Sequence, residues 1–82
     1  MTKEELDQTI GQRIAAARSL RGIERRELAA KVGFTTWRVA RIESAHAGAS
    51  IFELVQIARA LGTSIPALLG DQPLEDNGGK AQ

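Results

Sequence analysis

The stretch from Arg25 to Glu43, RRELAAKVGFTTWRVARIE, decides the fold of this chain. It contains two short apolar patterns of helical spacing, separated by a tight turn. Gly33 can end the first helix, Phe34 gives the turn an apolar residue to bury, and Thr35 can cap the next helix through its hydroxyl. The stretch therefore predicts a helix-turn-helix unit, in which the second helix runs from Thr36 to about Ser44.

Helix signals also lie on both sides of this unit. Thr2 and Glu5 have the spacing of a capping box, so a long first helix can begin at about residue 3. Ser50 and Glu53 repeat the same spacing ahead of a fourth helix. A short fifth helix follows a cap at Ser64. Apolar residues recur every three or four positions in these segments, and no strand pattern occurs.

These signals predict a single all-α domain of five helices over residues 1–70. Residues 71–82, DQPLEDNGGKAQ, have no apolar period and little to bury, so we expect a mobile polar tail. The chain has 82 residues and no cysteine, which excludes a disulfide framework and a thiolate metal site. No apolar run approaches the ~20 residues of a membrane span, and the polar, acidic N-terminus is not a signal peptide. We therefore expect a cytoplasmic protein without a membrane partner.

The formal net charge is only +1, but charge is distributed unevenly along the chain. Between residues 11 and 44 there are eight lysine and arginine side chains and three acidic ones, whereas both ends are mildly acidic. A basic middle of this kind suggests one face suited to a polyanion. The alternative is that a helical surface carries mixed charges for solubility, and charge alone does not separate the two.

Further landmarks follow one another in order and with regular gaps between Ile10 and Leu69. They are Arg18, Gly22-Ile23, Glu27-Leu28-Ala29, Gly33-Phe34-Thr35, Val39, Ile42-Glu43, the run Ile57–Ser64 and Leu68-Leu69. Together they resemble the lambda-repressor-like family, the Xre/Cro/C1 helix-turn-helix proteins. The resemblance implies a five-helix domain that binds operator DNA, usually as a dimer. The family's glycine after the third helix is replaced by Ala45, so Gly48 is expected to make the turn.

The resemblance assigns base contacts to the outward side of the third helix, since the major groove admits one α-helix. Thr36, Trp37 and Arg41 match positions that relatives use for this purpose. Arg41 can donate two hydrogen bonds to guanine, or it contacts phosphate or solvent instead. Thr36 is a base or phosphate contact, or only a first-turn residue. Trp37 lies off the side formed by Val39 and Ile42, which favours DNA contact over burial in the core.

Other residues have predicted roles in DNA affinity, folding and assembly. The residues predicted to contact DNA phosphates are Arg25, Arg38, Arg13, Lys31 and, at the start of the fourth helix, Ser50. The resemblance implies an ion pair between Arg18 and Glu43 that holds the first helix to the third. A homodimer is expected as well, with Ile65, Pro66 and Leu68 as its predicted interface, unless Leu68 only completes the core.

The sequence contains no catalytic constellation and no metal cluster, so neither an enzymatic activity nor a cofactor is predicted. We expect a sequence-specific DNA-binding transcriptional regulator, a repressor or controller that binds a pseudo-palindromic operator in double-stranded DNA as a dimer. One alternative is an antitoxin that binds a toxin protein and its own operator, for which the acidic tail after Asp71 could serve. A second alternative is a helix-turn-helix domain kept for protein assembly only.

Overall fold

Five α-helices form the part of the chain that the structure, a computed structural model, describes, which is residues 1–74. The helices are α1 (Lys3–Arg21), α2 (Arg25–Val32), α3 (Thr36–Glu43), α4 (Ile51–Leu61) and α5 (Ile65–Leu68). No strand occurs among these residues. The predicted all-α fold, with a helix-turn-helix at α2 and α3, is confirmed. No helix within residues 1–74 is long and apolar enough to cross a membrane.

Local sequence signals set where the helices begin. Thr2 Oγ1 accepts a hydrogen bond from the Glu5 backbone N–H (3.1 Å), and Glu5 Oε1 accepts one from the Thr2 N–H (2.8 Å). This capping box satisfies N–H groups that have no partner inside the helix, so α1 begins at Lys3 and has 19 residues. Thr35 Oγ1 accepts from the Arg38 N–H (3.0 Å) and fixes the start of α3 in a similar way.

Two positions with positive φ shape the connections around α3. Gly33 ends α2 with a φ of 78°, in the left-handed region that favours glycine. After α3, Ala45 takes the same kind of conformation with a φ of 65°. The expectation that Gly48 makes this turn is wrong, because the chain already turns at Ala45. The His46 N–H then donates to the Arg41 carbonyl oxygen (2.9 Å) and closes the end of the helix.

A continuous apolar core between the helices holds α3 in place. Val39 and Ile42 of α3 are almost fully buried, and the helix packs on α1 and α2. The crossing with α1 is close at Gly11, where a Cβ atom would lie 2.5 Å from the carbonyl oxygen of Glu43. A side chain at this position would therefore push α1 and α3 apart. The other core residues are Ile10, Ile14, Ala17, Leu28, Ala29, Leu54, Ile57, Ala58, Leu61 and Leu68.

Contacts continue beyond the domain boundary that was predicted at residue 70. The carbonyl oxygen of Gln72 accepts a hydrogen bond from Arg13 Nη1 (2.8 Å), and Leu74 packs half-buried against the core. Residues 71–74 thus contact the helices, and the mobility predicted for the tail stays a prediction. The rest of the predicted tail, residues 75–82, lies outside the described residues.

Candidate nucleic-acid interface

One side of α3 faces the core and the opposite side faces solvent. Val39 and Ile42 point to the core, and at 3.6 residues per turn Trp37 lies on the far side of the helix from them. Trp37 is 68% exposed, and the neighbouring Thr36 is exposed as well. The structure therefore brings these two residues onto a surface that no other part of residues 1–74 covers.

Arg41 lies next to Trp37 at the edge of this surface. Its guanidinium carbon is 4.9 Å from the centroid of the indole ring, which is a cation–π contact. Its Nη2 also donates a hydrogen bond to the His46 carbonyl oxygen (3.1 Å). Both contacts restrict the conformations of a long, half-exposed side chain. Arg41 and Trp37 are thus in contact, and Thr36 precedes Trp37 in the chain; we call Thr36, Trp37 and Arg41 the outward face of α3.

The loop that follows α3 supports this face. The His46 ring Nδ1 is 2.7 Å from Ser44 Oγ, within hydrogen-bond distance, while the His46 carbonyl oxygen accepts from Arg41. His46 is the only histidine of the chain. Among residues 1–74, no group of three or more His, Cys, Asp or Glu side chains is placed to hold a metal ion. The carbonyl oxygen of His46 therefore connects the loop to the Arg41 side chain of α3.

Glu43 binds two arginines that come from two other helices. Its side chain is 4% exposed, and Arg18 of α1 donates to both carboxylate oxygens, from Nε to Oε2 (2.6 Å) and from Nη2 to Oε1 (3.0 Å). Hydrogen bonding to Glu43 raises the pKa of Arg18 above its ordinary value. Arg25, at the start of α2, donates from Nε to Oε1 of the same carboxylate (3.1 Å), and 44% of its side chain stays exposed. Sequence reasoning assigned Arg25 to phosphate and missed this internal contact.

Arg38, another predicted phosphate contact, is turned toward α4 instead. Its Nε and Nη2 donate to the two carboxylate oxygens of Glu53 at 3.0 and 2.7 Å, and Nη2 also donates to the Gly48 carbonyl oxygen (3.0 Å). The hydrogen bonds between the two side chains raise the pKa of Arg38 and lower that of Glu53. Three of its five N–H donors are used within the chain, so only Nη1 is left for a phosphate, and the phosphate contact of Arg38 stays a prediction.

Three further residues predicted to contact phosphate do not join the outward face of α3. Arg13 Nη1 donates to the Ala67 carbonyl oxygen (3.0 Å), which places this arginine beside α5. Ser50 Oγ accepts from the Glu53 N–H (3.0 Å), and the Ser50 N–H donates to Glu53 Oε1 (2.8 Å). A carboxylate therefore already occupies the positive end of α4, where a phosphate was expected. Lys31 lines an open groove of about 400 Å³ between α2 and α4, to which α3 adds no residue.

The residues predicted to form a dimer interface do not share one surface. Pro66 is exposed and Ile65 is half-buried, but Leu68 is fully buried. Leu68 is corrected to a core residue, because α5 has only four residues and its end packs on α1 and α4.

Sequence reasoning missed two exposed apolar side chains, Ile51 and Phe52, at the start of α4. An apolar stripe shows which side of a helix is buried but not where along the helix the core ends.

Comparison with known proteins places these features in a family. The family described as Helix-turn-helix matches residues 14–68. The clp gene regulator ClgR from C. glutamicum has a similar structure (24% identity over 80% of this chain and 86% of that chain, TM-score 0.76). So does the restriction-modification controller protein C.AhdI from Aeromonas hydrophila (24% identity, 76% and 94%, TM-score 0.72). The P22 c2 repressor in complex with a synthetic operator is also similar (25% identity, 77% and 96%, TM-score 0.71). No curated protein sequence matches the chain.

Proposed function

The chain belongs to the helix-turn-helix family, with a lambda-repressor-like fold, and we propose on this basis that it is a sequence-specific DNA-binding transcriptional regulator. Its role is that of a repressor or controller, as the names of similar proteins suggest. The observation that carries the proposal is the outward face of α3. There an indole that contributes nothing to the core is exposed and is stacked against an arginine.

The outward face of α3 has the size and the chemistry to enter a major groove. The groove admits an α-helix whose N-terminal residues reach the base edges, and Thr36 and Trp37 are the first two residues of α3. Arg41 reads guanine through O6 and N7, which contributes roughly 1–3 kcal/mol of discrimination against other bases. Trp37 packs on a sugar or a thymine methyl group, and Thr36 contacts a base edge beside it.

Arg25 is the residue that best fits a phosphate contact. It begins α2, and its side chain is almost half exposed. If Arg25 turns to a phosphate, Glu43 keeps both hydrogen bonds from Arg18, so no buried charge loses all its partners. Contacts of this kind raise affinity and fix the register of the protein on DNA without reading sequence.

The proposal includes binding as a homodimer. Two copies would place their α3 helices about one DNA turn apart, ~34 Å, on a pseudo-palindromic operator. Ile65 and Pro66 reach the surface and support such a contact, whereas the buried Leu68 does not. Sedimentation of the chain alone and with a selected duplex measures the assembly. A single copy in both samples would contradict the dimer.

Selection of binding sites from random duplexes tests the function itself. We expect a pseudo-palindromic motif and an affinity that falls steeply with salt concentration. The variants Trp37→Ala and Arg41→Gln should bind this motif poorly. Arg59→Gln is the matched control, because Arg59 is an exposed arginine of α4 in the groove that α3 does not line. Weak binding to every duplex would contradict the proposal and favour the antitoxin or the assembly role.

A further inference from the structure

Arg38 connects α3 to α4, the helix that follows it. α3 packs mainly on α1 and α2. Toward α4, Arg38 donates to both carboxylate oxygens of Glu53 and to the Gly48 carbonyl oxygen in the intervening loop. A guanidinium that binds two oxygens of one carboxylate has a defined orientation, because the two hydrogen bonds are parallel. Arg38 therefore fixes α3, the loop and the start of α4 relative to one another.

Glu53 is also held by its own helix. Its Oε1 accepts from the Ser50 N–H, and its N–H donates to Ser50 Oγ, which completes a capping box. The carboxylate lies in the first turn of α4, where the helix dipole favours a negative charge. Because both ends of the Glu53 side chain are restrained, Glu53 is a rigid anchor for Arg38.

We propose that Arg38 and Glu53 are positioning residues of DNA recognition, and that their ion pair sets the angle at which α3 presents Trp37 and Arg41 to the major groove. This inference rests on the proposed DNA-binding function. The charge of Arg38 is balanced by Glu53 at 2.7 Å, so Arg38 adds little attraction for phosphate. Trp37 precedes Arg38 in the same helix, so a rotation of α3 after loss of the pair would move the indole in the groove.

Neutral variants of each partner distinguish positioning from phosphate contact. A positioning pair predicts that Arg38→Gln and Glu53→Gln both weaken binding to the selected operator, by roughly two- to 100-fold as for other coupled neighbours. The double variant should bind no more weakly than the weaker single variant. The slope of log Kd against log salt should stay that of the unmodified chain, because no phosphate contact is lost.

A phosphate contact predicts different results for the same variants. Glu53→Gln would then tighten binding, since it removes a negative charge near DNA, and Arg38→Gln would reduce the salt slope by about 0.9 for each protomer bound. Either result would overturn the inference, as would unchanged binding in Glu53→Gln. Arg38→Lys adds a further readout, because lysine keeps the charge but cannot bind both carboxylate oxygens in a fork. A positioning role predicts weak binding by Arg38→Lys, and near-normal binding would count against it.

Two controls separate this inference from loss of the fold and from failure of the proposed function. Circular dichroism must show the helical content of the unmodified chain in each variant at the assay temperature, and Arg59→Gln should bind the operator normally. If the unmodified chain selects no operator, the proposed function fails and this inference fails with it. If the unmodified chain binds specifically but Glu53→Gln binds equally well or better, only the inference is overturned.

Discussion

Replacing Arg18 with methionine should destabilise the domain much more than replacing Arg25 with methionine, although both arginines bind Glu43. The Arg18 side chain is 17% exposed and donates two charge-assisted hydrogen bonds to Glu43, whereas the Arg25 side chain is 44% exposed. Removing one partner of a buried pair costs about 3–5 kcal/mol. In Arg18→Met the Glu43 carboxylate keeps its hydrogen bond from Arg25, so we expect a loss of unfolding free energy at the lower end of this range, about 3 kcal/mol. Exposed pairs contribute roughly 0–1 kcal/mol, so Arg25→Met should cost about 0.5 kcal/mol.

Urea unfolding followed by circular dichroism, with linear extrapolation to water, measures these free energies. A domain of this size unfolds with a free energy of roughly 5–10 kcal/mol, so the loss in Arg18→Met is a large share of the total. Arg26→Met is the matched control, because Arg26 is an exposed arginine whose contact with the exposed Glu24 is 3.5 Å long. Its free energy of unfolding should change by less than about 0.5 kcal/mol.

Two results would refute this reasoning. If Arg18→Met is as stable as the parent, the buried carboxylate does not depend on Arg18. If Arg25→Met loses as much stability as Arg18→Met, burial does not decide the cost of breaking these contacts, and the comparison of exposures has no predictive value.

Three further predictions concern packing, recognition and pH. Gly11→Ala should lower the melting temperature by about 5 °C or more, because its Cβ would lie 2.5 Å from the Glu43 carbonyl oxygen; an unchanged calorimetric Tm would contradict the close crossing. Trp37→Ala should leave the urea midpoint unchanged and weaken operator binding roughly tenfold for each protomer bound, the loss of one aromatic contact of about 1.4 kcal/mol per protomer, as measured by fluorescence anisotropy with a labelled duplex. The hydrogen bond from Arg38 lowers the pKa of Glu53 from its ordinary 4.5, so the stability from this pair is complete above about pH 4.5 and is lost as pH falls through the folded-state pKa. The difference in unfolding free energy between the parent and Glu53→Gln should therefore shrink in acid, and a constant difference from about pH 7 to about pH 3 would count against the pair.

The backbone of this chain is predictable from its sequence because the deciding signals are local. Thr2 and Glu5 form the capping box of α1, and Thr35 caps α3. Each cap acts within one helical turn, and both helices begin where these residues predict. Partners of the long side chains are not local. Arg38 and Glu53 are 15 positions apart on different helices, so their pairing follows from how α3 and α4 pack. No periodicity in the sequence carries that information.

The remaining corrections have related physical causes. α5 has four residues, which is about one turn, so its apolar residues cannot form a stripe that shows which side is buried. Leu68 could therefore be assigned to the core or to an interface with equal reason. The acceptors of Arg13 are the backbone carbonyl oxygens of Ala67 and Gln72, and a carbonyl is present at every position of any sequence. Only the folded chain shows which ones an arginine can reach.

The left-handed conformation of Ala45, near the start of the loop after α3, affects both the stability of the domain and the positions of two arginine side chains. A left-handed conformation costs a residue with a side chain about 1–2 kcal/mol, and Ala45 adopts it. Glycine would relieve that strain at an entropic cost of about 0.5–1 kcal/mol, so the change would leave the melting behaviour similar or slightly improved. The same loop, however, offers the carbonyl oxygens of His46 and Gly48 to Arg41 and Arg38. Alanine leaves this loop fewer conformations than glycine would, so the strained residue limits the movement of both carbonyl acceptors and thereby of the two arginine side chains that bind them.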